Sequence, residues 1–228
     1  MAIKRFVRER SERTEFIDEL RDVLVGGSSK RVKGVGDGGV GVYLRFFLSV
    51  GNTAYRSGDA DVFEYYLRSL FEVVEAGPEG VDCADLVGRV RGYGFRSIRD
   101  FDLVMFGAVV EVVAERVFSM RDVGEIGGRL EFLRDLGLRS AEAGFEGGVL
   151  GVVDVFRLLG VHFEGEGLGV SSMSLKSHVV GLVHYLGGVG DDGLRGRVIS
   201  LVEGVLAPPG PVEAPVEEGV GAESPPAV

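Results

Sequence analysis

At 228 residues and 45% hydrophobic, the chain can fill the core of one domain or two small ones. A formal net charge of −10 repels a phosphate backbone, so nucleic acid is an unfavourable partner. The single cysteine, Cys83, excludes an intrachain disulfide and a cysteine-built zinc site, and fits a reducing compartment, so the expected location is cytoplasmic.

In chain order, the first 35 residues carry nine Lys/Arg against six Asp/Glu, opposite in sign to the rest. Phe16, Ile17, Leu20, Val23 and Leu24 recur at helical spacing and predict a helix near 11–25, stopped by Gly26 and Gly27. The Gly/Ser/Lys-rich stretch 26–39 reads as a loop. A second helix is predicted over 40–56. A third, over 60–76, places Val62, Phe63, Tyr66, Leu67, Leu70, Phe71 and Val74 on one face; Asp59 or Asp61 caps it and Gly77-Pro78 ends it. A shorter helix follows at 82–92, then an apolar and therefore central one at 98–119. Asp122 with Glu125 resembles a capping box opening a helix to about 143. Three more are predicted near 147–163, 171–187 and 192–206. Residues 207–228 hold six of the seven prolines, four Glu and no Lys or Arg, and read as a disordered tail.

No run of 18 uncharged apolar residues occurs, and the N-terminus lacks the apolar core of a signal peptide, so neither a membrane span nor a secretion signal is expected. The nearest approach, Leu103 to Ala114, is short and carries Glu111.

The chain also resembles itself. Leu133-Arg134-Asp135-Leu136-Gly137 recurs 23 residues later as Phe156-Arg157-Leu158-Leu159-Gly160, and Gly144-Phe145 recurs as Gly167-Leu168. A looser third copy, Leu186-Gly187 with Gly193-Leu194, stands 26 or 27 residues on. Units of one helix plus a turn cannot bury their apolar faces alone, and they stack. Separately, Val50 to Leu70 reads VGNTAYRSGDADVFEYYLRSL. Gly51-Asn52, Gly58-Asp59 and Asp61 sit where a tetratricopeptide repeat has its first helix and turn, and this stretch resembles one such unit. Phe63 stands where that family uses a small alanine; a large side chain there would spread the two helices. The resemblance implies helical hairpins in a solenoid and a partner-binding role.

Chemistry-bearing patterns are sparse. Gly34-Val35-Gly36-Asp37-Gly38-Gly39 satisfies a dinucleotide-binding spacing, but polar residues precede it instead of a strand, so it reads as loop. Lys4, Arg5, Arg8, Arg10, Lys30, Arg31 and Lys33 form the one basic region, and no aromatics that would stack bases interleave with its loop cluster, Lys30, Arg31 and Lys33. His162, His178 and His184 lack the i, i+4 spacing of metal ligands. Asp100, Asp102, Asp191 and Asp192 are explained by helix starts. No nucleophile–base constellation is visible, and no cofactor is expected.

The expected fold is therefore all-α: an irregular α-solenoid or bundle of helical hairpins with about nine helices. Residues 1–39 form an N-terminal helix and Gly-rich loop, 40–206 the helical-repeat domain, and 207–228 the tail. The expected function is a non-catalytic protein-interaction or scaffold module binding a protein or peptide, with Asn52, Tyr55 and Arg56 lining the face and Tyr65 as an exposed aromatic anchor. The alternatives are a self-assembling structural subunit, a homo-oligomer, and a helical enzyme or small-ligand protein whose pocket does not show in the sequence.

Overall fold

A computed structural model describes residues 10–26 and 39–206. The expected tail, most of the Gly-rich loop, and the basic side chains at positions 4, 5, 8, 30, 31 and 33 lie outside the described residues, and the side chain of Arg10 with them. The fold is all-α. Nine helices, and no strand, occur among the described residues: α1 (Arg10–Gly26), α2 (Val40–Ser57), α3 (Ala60–Ala76), α4 (Cys83–Asp100), α5 (Leu103–Ser119), α6 (Val123–Glu142), α7 (Glu146–Gly165), α8 (Gly169–Gly188) and α9 (Asp192–Leu206). No described helix is long and apolar enough to cross a membrane.

Each helix packs on the next in the chain, and α1–α3, α3–α5, α5–α7 and α7–α9 also pack together, as do α4–α6 and α6–α8. That pattern describes two layers, the odd-numbered helices in one and the even-numbered in the other, with the core between them. The side-chain bonds and ion pairs that tie one hairpin to the next span 41–51 residues, about the length of one hairpin. α1 belongs to this body. Ile17 and Leu20 are fully buried in the same core as Phe47 and Phe63, so the expected boundary at residue 39 does not divide the core.

Local signals account for most helix ends. Side-chain carboxylates of Asp59, Asp82, Asp102, Asp122 and Asp191 accept backbone N–H bonds from the first turns of α3, α4, α5, α6 and α9. From α6 onward the helices begin at 123, 146, 169 and 192, a constant step of 23. The turns carry left-handed glycines at the same step, Gly144, Gly167 and Gly190, with φ of 69°, 68° and 77°. The third copy expected 26 or 27 residues on is corrected by this spacing. Gly187 lies inside α8 and Gly193 inside α9; the true turn, Gly190-Asp191, replaces the apolar residue of Gly144-Phe145 with a cap.

The predicted helices at 82–92 and 98–119 are redrawn as 83–100 and 103–119. Gly92 and Gly94 do not end α4, because Tyr93 between them and Ser97 and Ile98 beyond them stay buried, and Leu136 packs directly onto Gly94. Tertiary packing here overrides the ~1 kcal/mol helix penalty of glycine. Asp100 is therefore in the last turn of α4, not at a helix start. Arg99 binds it at 2.9 Å and holds its carboxyl below the usual range.

Candidate functional site

The expected site residues do not converge. Tyr55 is buried, its hydroxyl 3.2 Å from Ser97 Oγ and its ring under the Arg96 guanidinium; burial pushes its hydroxyl pKa up. Asn52 is half-buried: its Nδ2 donates to Leu48 O, and its Oδ1 accepts from the Tyr93 hydroxyl at 3.4 Å. Both residues seal the seam between α2 and α4. Arg56 is exposed. Tyr65 is half-buried in the other layer, where its hydroxyl donates to Asp18 Oδ1 on α1 at 2.6 Å. The face expected from Asn52, Tyr55 and Arg56 is corrected to one exposed residue, and Tyr65 is a seam residue. Phe63 joins Tyr55, Tyr66 and Tyr93 in a fully packed aromatic cluster.

A different site appears in the odd layer. Its seams are bridged by ion pairs: Arg13–Asp59 and Arg21–Glu72 between α1 and α3, Arg68–Glu115 and Arg116–Glu75 between α3 and α5, and Arg197–Glu146 between α9 and α7. Between α5 and α7 the ion pair Arg121–Glu166, at 3.0 Å, lies just past the C-terminal ends of both helices, and among the described residues none lies along their length. That seam opens instead into a trough of about 420 Å³. α5 lines it with Leu103, Phe106, Gly107, Val110, Glu111, Ala114, Glu115 and Phe118, and α7 with Gly151, Val155 and Leu158. The α5 residues recur every three or four positions over four turns, ~22 Å at 1.5 Å per residue. A Cβ on Gly107 would touch nothing within 4 Å, and one on Gly151 would reach only Phe106, at 3.9 Å. The floor therefore has room for a side chain that the chain itself does not supply. Leu103 and Leu158, at the edges of the trough, remain 52% and 44% exposed.

Charge at the trough lies on one rim. Arg68 grips Glu115 through two bonds of 2.8 Å, which lowers the Glu115 pKa, and stands 3.4 Å from Glu64. Glu64 is pushed up, first by burial and then by Glu111. Glu111 itself is exposed and faces no cation within ion-pair distance among the described residues. Three carboxylates thus share one guanidinium. At the far end, His162 sits edge-on to Phe118 at 5.0 Å, its Nε2 buried without a hydrogen-bond partner.

No family model, no curated protein and no solved structure matches the chain.

Two further surfaces lie elsewhere on the molecule. A second trough of about 410 Å³, between α4 and α6, is lined by Phe95, Ile98, Arg99, Arg139, Glu142 and Ala143; Arg139 is already engaged by Glu142 and by the Phe95 ring. On α8 the exposed residues Gly169, Val170, Met173, Ser177, Val180, Gly181, His184 and Gly188 include no Asp, Glu, Lys or Arg. No group of three His, Cys, Asp or Glu able to hold a metal ion occurs among the described residues. The sequence signal for the main trough was the length of the apolar surface on α5. That surface reads as core, because periodicity reports which face is apolar but not whether a neighbour covers it.

Proposed function

We propose that this chain is a non-catalytic protein-interaction scaffold that docks an apolar segment of a partner protein into the α5–α7 trough. The observation that carries this reading is the seam itself: between α5 and α7 four turns of apolar side chains lie over a glycine floor, and the ion pair Arg121–Glu166 closes only the C-terminal end. A stack of helical hairpins is a scaffold on which such grooves form between neighbouring helices. The likeness of Val50–Leu70 to a tetratricopeptide hairpin supports the same role. The test is recovery of partners from the native source by the full chain and by Gly107→Leu, whose Cβ meets nothing within 4 Å and whose side chain occupies the trough, with Gly88→Ala as a control elsewhere. A partner retained by wild type and Gly88→Ala but lost by Gly107→Leu is the expected result. A partner set indifferent to Gly107→Leu refutes the reading.

A second reading, self-assembly, is favoured by the uncharged exposed arc of α8. In a chain of net charge −10, this surface lets two copies approach without like-charge repulsion. Light scattering decides it: a dimer that Met173→Glu converts to monomer supports the reading, and a wild-type monomer at high concentration excludes it.

A further inference from the structure

We propose that the occupant of the α5–α7 trough is an amphipathic α-helix whose apolar stripe lies along the trough and whose flank toward α3 carries Lys or Arg to meet Glu111. The inference rests on reading the trough as a docking site and names the chemistry of its partner.

Both walls are helices whose interior backbone groups are bonded within the helix, so the trough offers no sheet edge to which an extended segment could add. An extended segment laid there would also bring its own N–H and C=O groups against an apolar lining whose polar side chains are two carboxylates, leaving its carbonyls without donors. A helix satisfies its backbone internally and brings side chains at i, i+3, i+4 and i+7, the same interval at which Leu103, Gly107, Val110, Ala114 and Phe118 recur along α5. The missing side chains at Gly107 and Gly151 are the holes such anchors fill.

Charge selects which helix. The α7 wall contributes no charged lining residue, whereas the α5 rim contributes Glu111 and Glu115, with Glu64 on α3 close enough to feel Glu111. Arg68 is committed to Glu115 by two hydrogen bonds and meets Glu111 only at longer range, so among the described residues Glu111 has no cation within ion-pair distance. A lysine or arginine on the α3-facing flank of the bound helix supplies that cation, and an acidic flank is repelled. This rim also disfavours the chain's own residues 207–228 as occupant, since they carry four Glu and no Lys or Arg.

The experiment uses two synthetic 18-residue helical peptides with the same leucine stripe, one with Lys/Arg on its flank and one with Glu at the same positions. Fluorescence anisotropy follows their binding to the full chain as wild type, Glu111→Gln, Glu111→Lys and Gly107→Leu. The cationic peptide is expected to bind wild type about tenfold or more tightly than the acidic one, with a gap that narrows as salt rises. Glu111→Gln should shrink the gap by about threefold, and Glu111→Lys should remove or reverse it. Gly107→Leu should abolish binding of both peptides while leaving the helical circular dichroism unchanged. Equal binding of the two peptides, both lost in Gly107→Leu, overturns the charge selection and leaves the docking reading standing. Failure of both to bind, or cationic binding that ignores Gly107→Leu, overturns the docking reading and the inference together.

Discussion

Gly51 and Gly88 are both helix-interior glycines, yet the same substitution should move stability in opposite directions. In α2, a Cβ at Gly51 falls within the van der Waals envelope of the Tyr66 ring, which is fully buried. That ring cannot step aside: Phe47, Tyr93 and Phe63 pack around it with centroids at 5.0, 6.3 and 6.5 Å. Gly51→Ala gains up to ~1 kcal/mol of helix propensity. Overpacking a rigid core site costs ~1–3 kcal/mol, and the enclosed ring places this site toward the upper end, for a net loss of about 1–2 kcal/mol. In α4, Gly88 has open space where a Cβ would go, so Gly88→Ala should gain about 0.5–1 kcal/mol. Urea denaturation followed by helical circular dichroism measures both as shifts of the midpoint at constant slope. The cause is isolated in a Tyr66→Leu background, where the obstructing ring atoms are gone and Gly51→Ala should become neutral or stabilising. A Gly51→Ala protein as stable as wild type refutes the close packing of α2 on α3. A penalty that survives Tyr66→Leu refutes its assignment to the ring.

Asp122→Ala removes the acceptor held 2.8 Å from Glu125 N and should lower stability by ~1 kcal/mol in the same titration. Tyr65→Phe deletes the 2.6 Å bond to Asp18 and should cost ~1 kcal/mol; an unchanged midpoint means the α1–α3 seam does not depend on it. Two glutamates should show opposite pH behaviour. Glu64 is raised in the folded state by burial, so stability falls as pH rises from the ordinary glutamate pKa through the folded value. Glu64→Gln should therefore be more stable than wild type at neutral pH, with the advantage gone in acid. Glu115 is lowered by its bonds to Arg68, so its contribution is present above its unfolded pKa and is lost as pH falls through the folded value. Glu115→Gln should be less stable at neutral pH, by at most ~1 kcal/mol for so exposed a pair. Midpoints measured from pH 3 to 8 that move together for both variants would contradict the assignment.

Helix identity and most helix ends are local properties, and the sequence alone determined them. The stripe from Val62 to Phe71 follows the 3.6-residue period of a single segment, and Asp59 and Asp122 cap backbone groups three residues away. The step of 23 was also legible wherever the turn kept its Gly-plus-apolar form; it was lost at Gly190-Asp191, where a capping side chain took over the role of the apolar residue. Only the tertiary structure decided what each apolar face meets. Tyr55 and Asn52 went inside because α4 runs on past Gly92 and Gly94 to bring Tyr93 and Ser97 over them. Tyr65 was taken up by Asp18, 47 residues earlier in the chain. The trough arises from the same kind of non-local fact. α5 is apolar over more of its circumference than its neighbours cover, and α7 faces it with Gly151, which adds no side chain to fill the gap. Periodicity records the composition of a face, whereas the gap between two faces depends on residues about one hairpin apart.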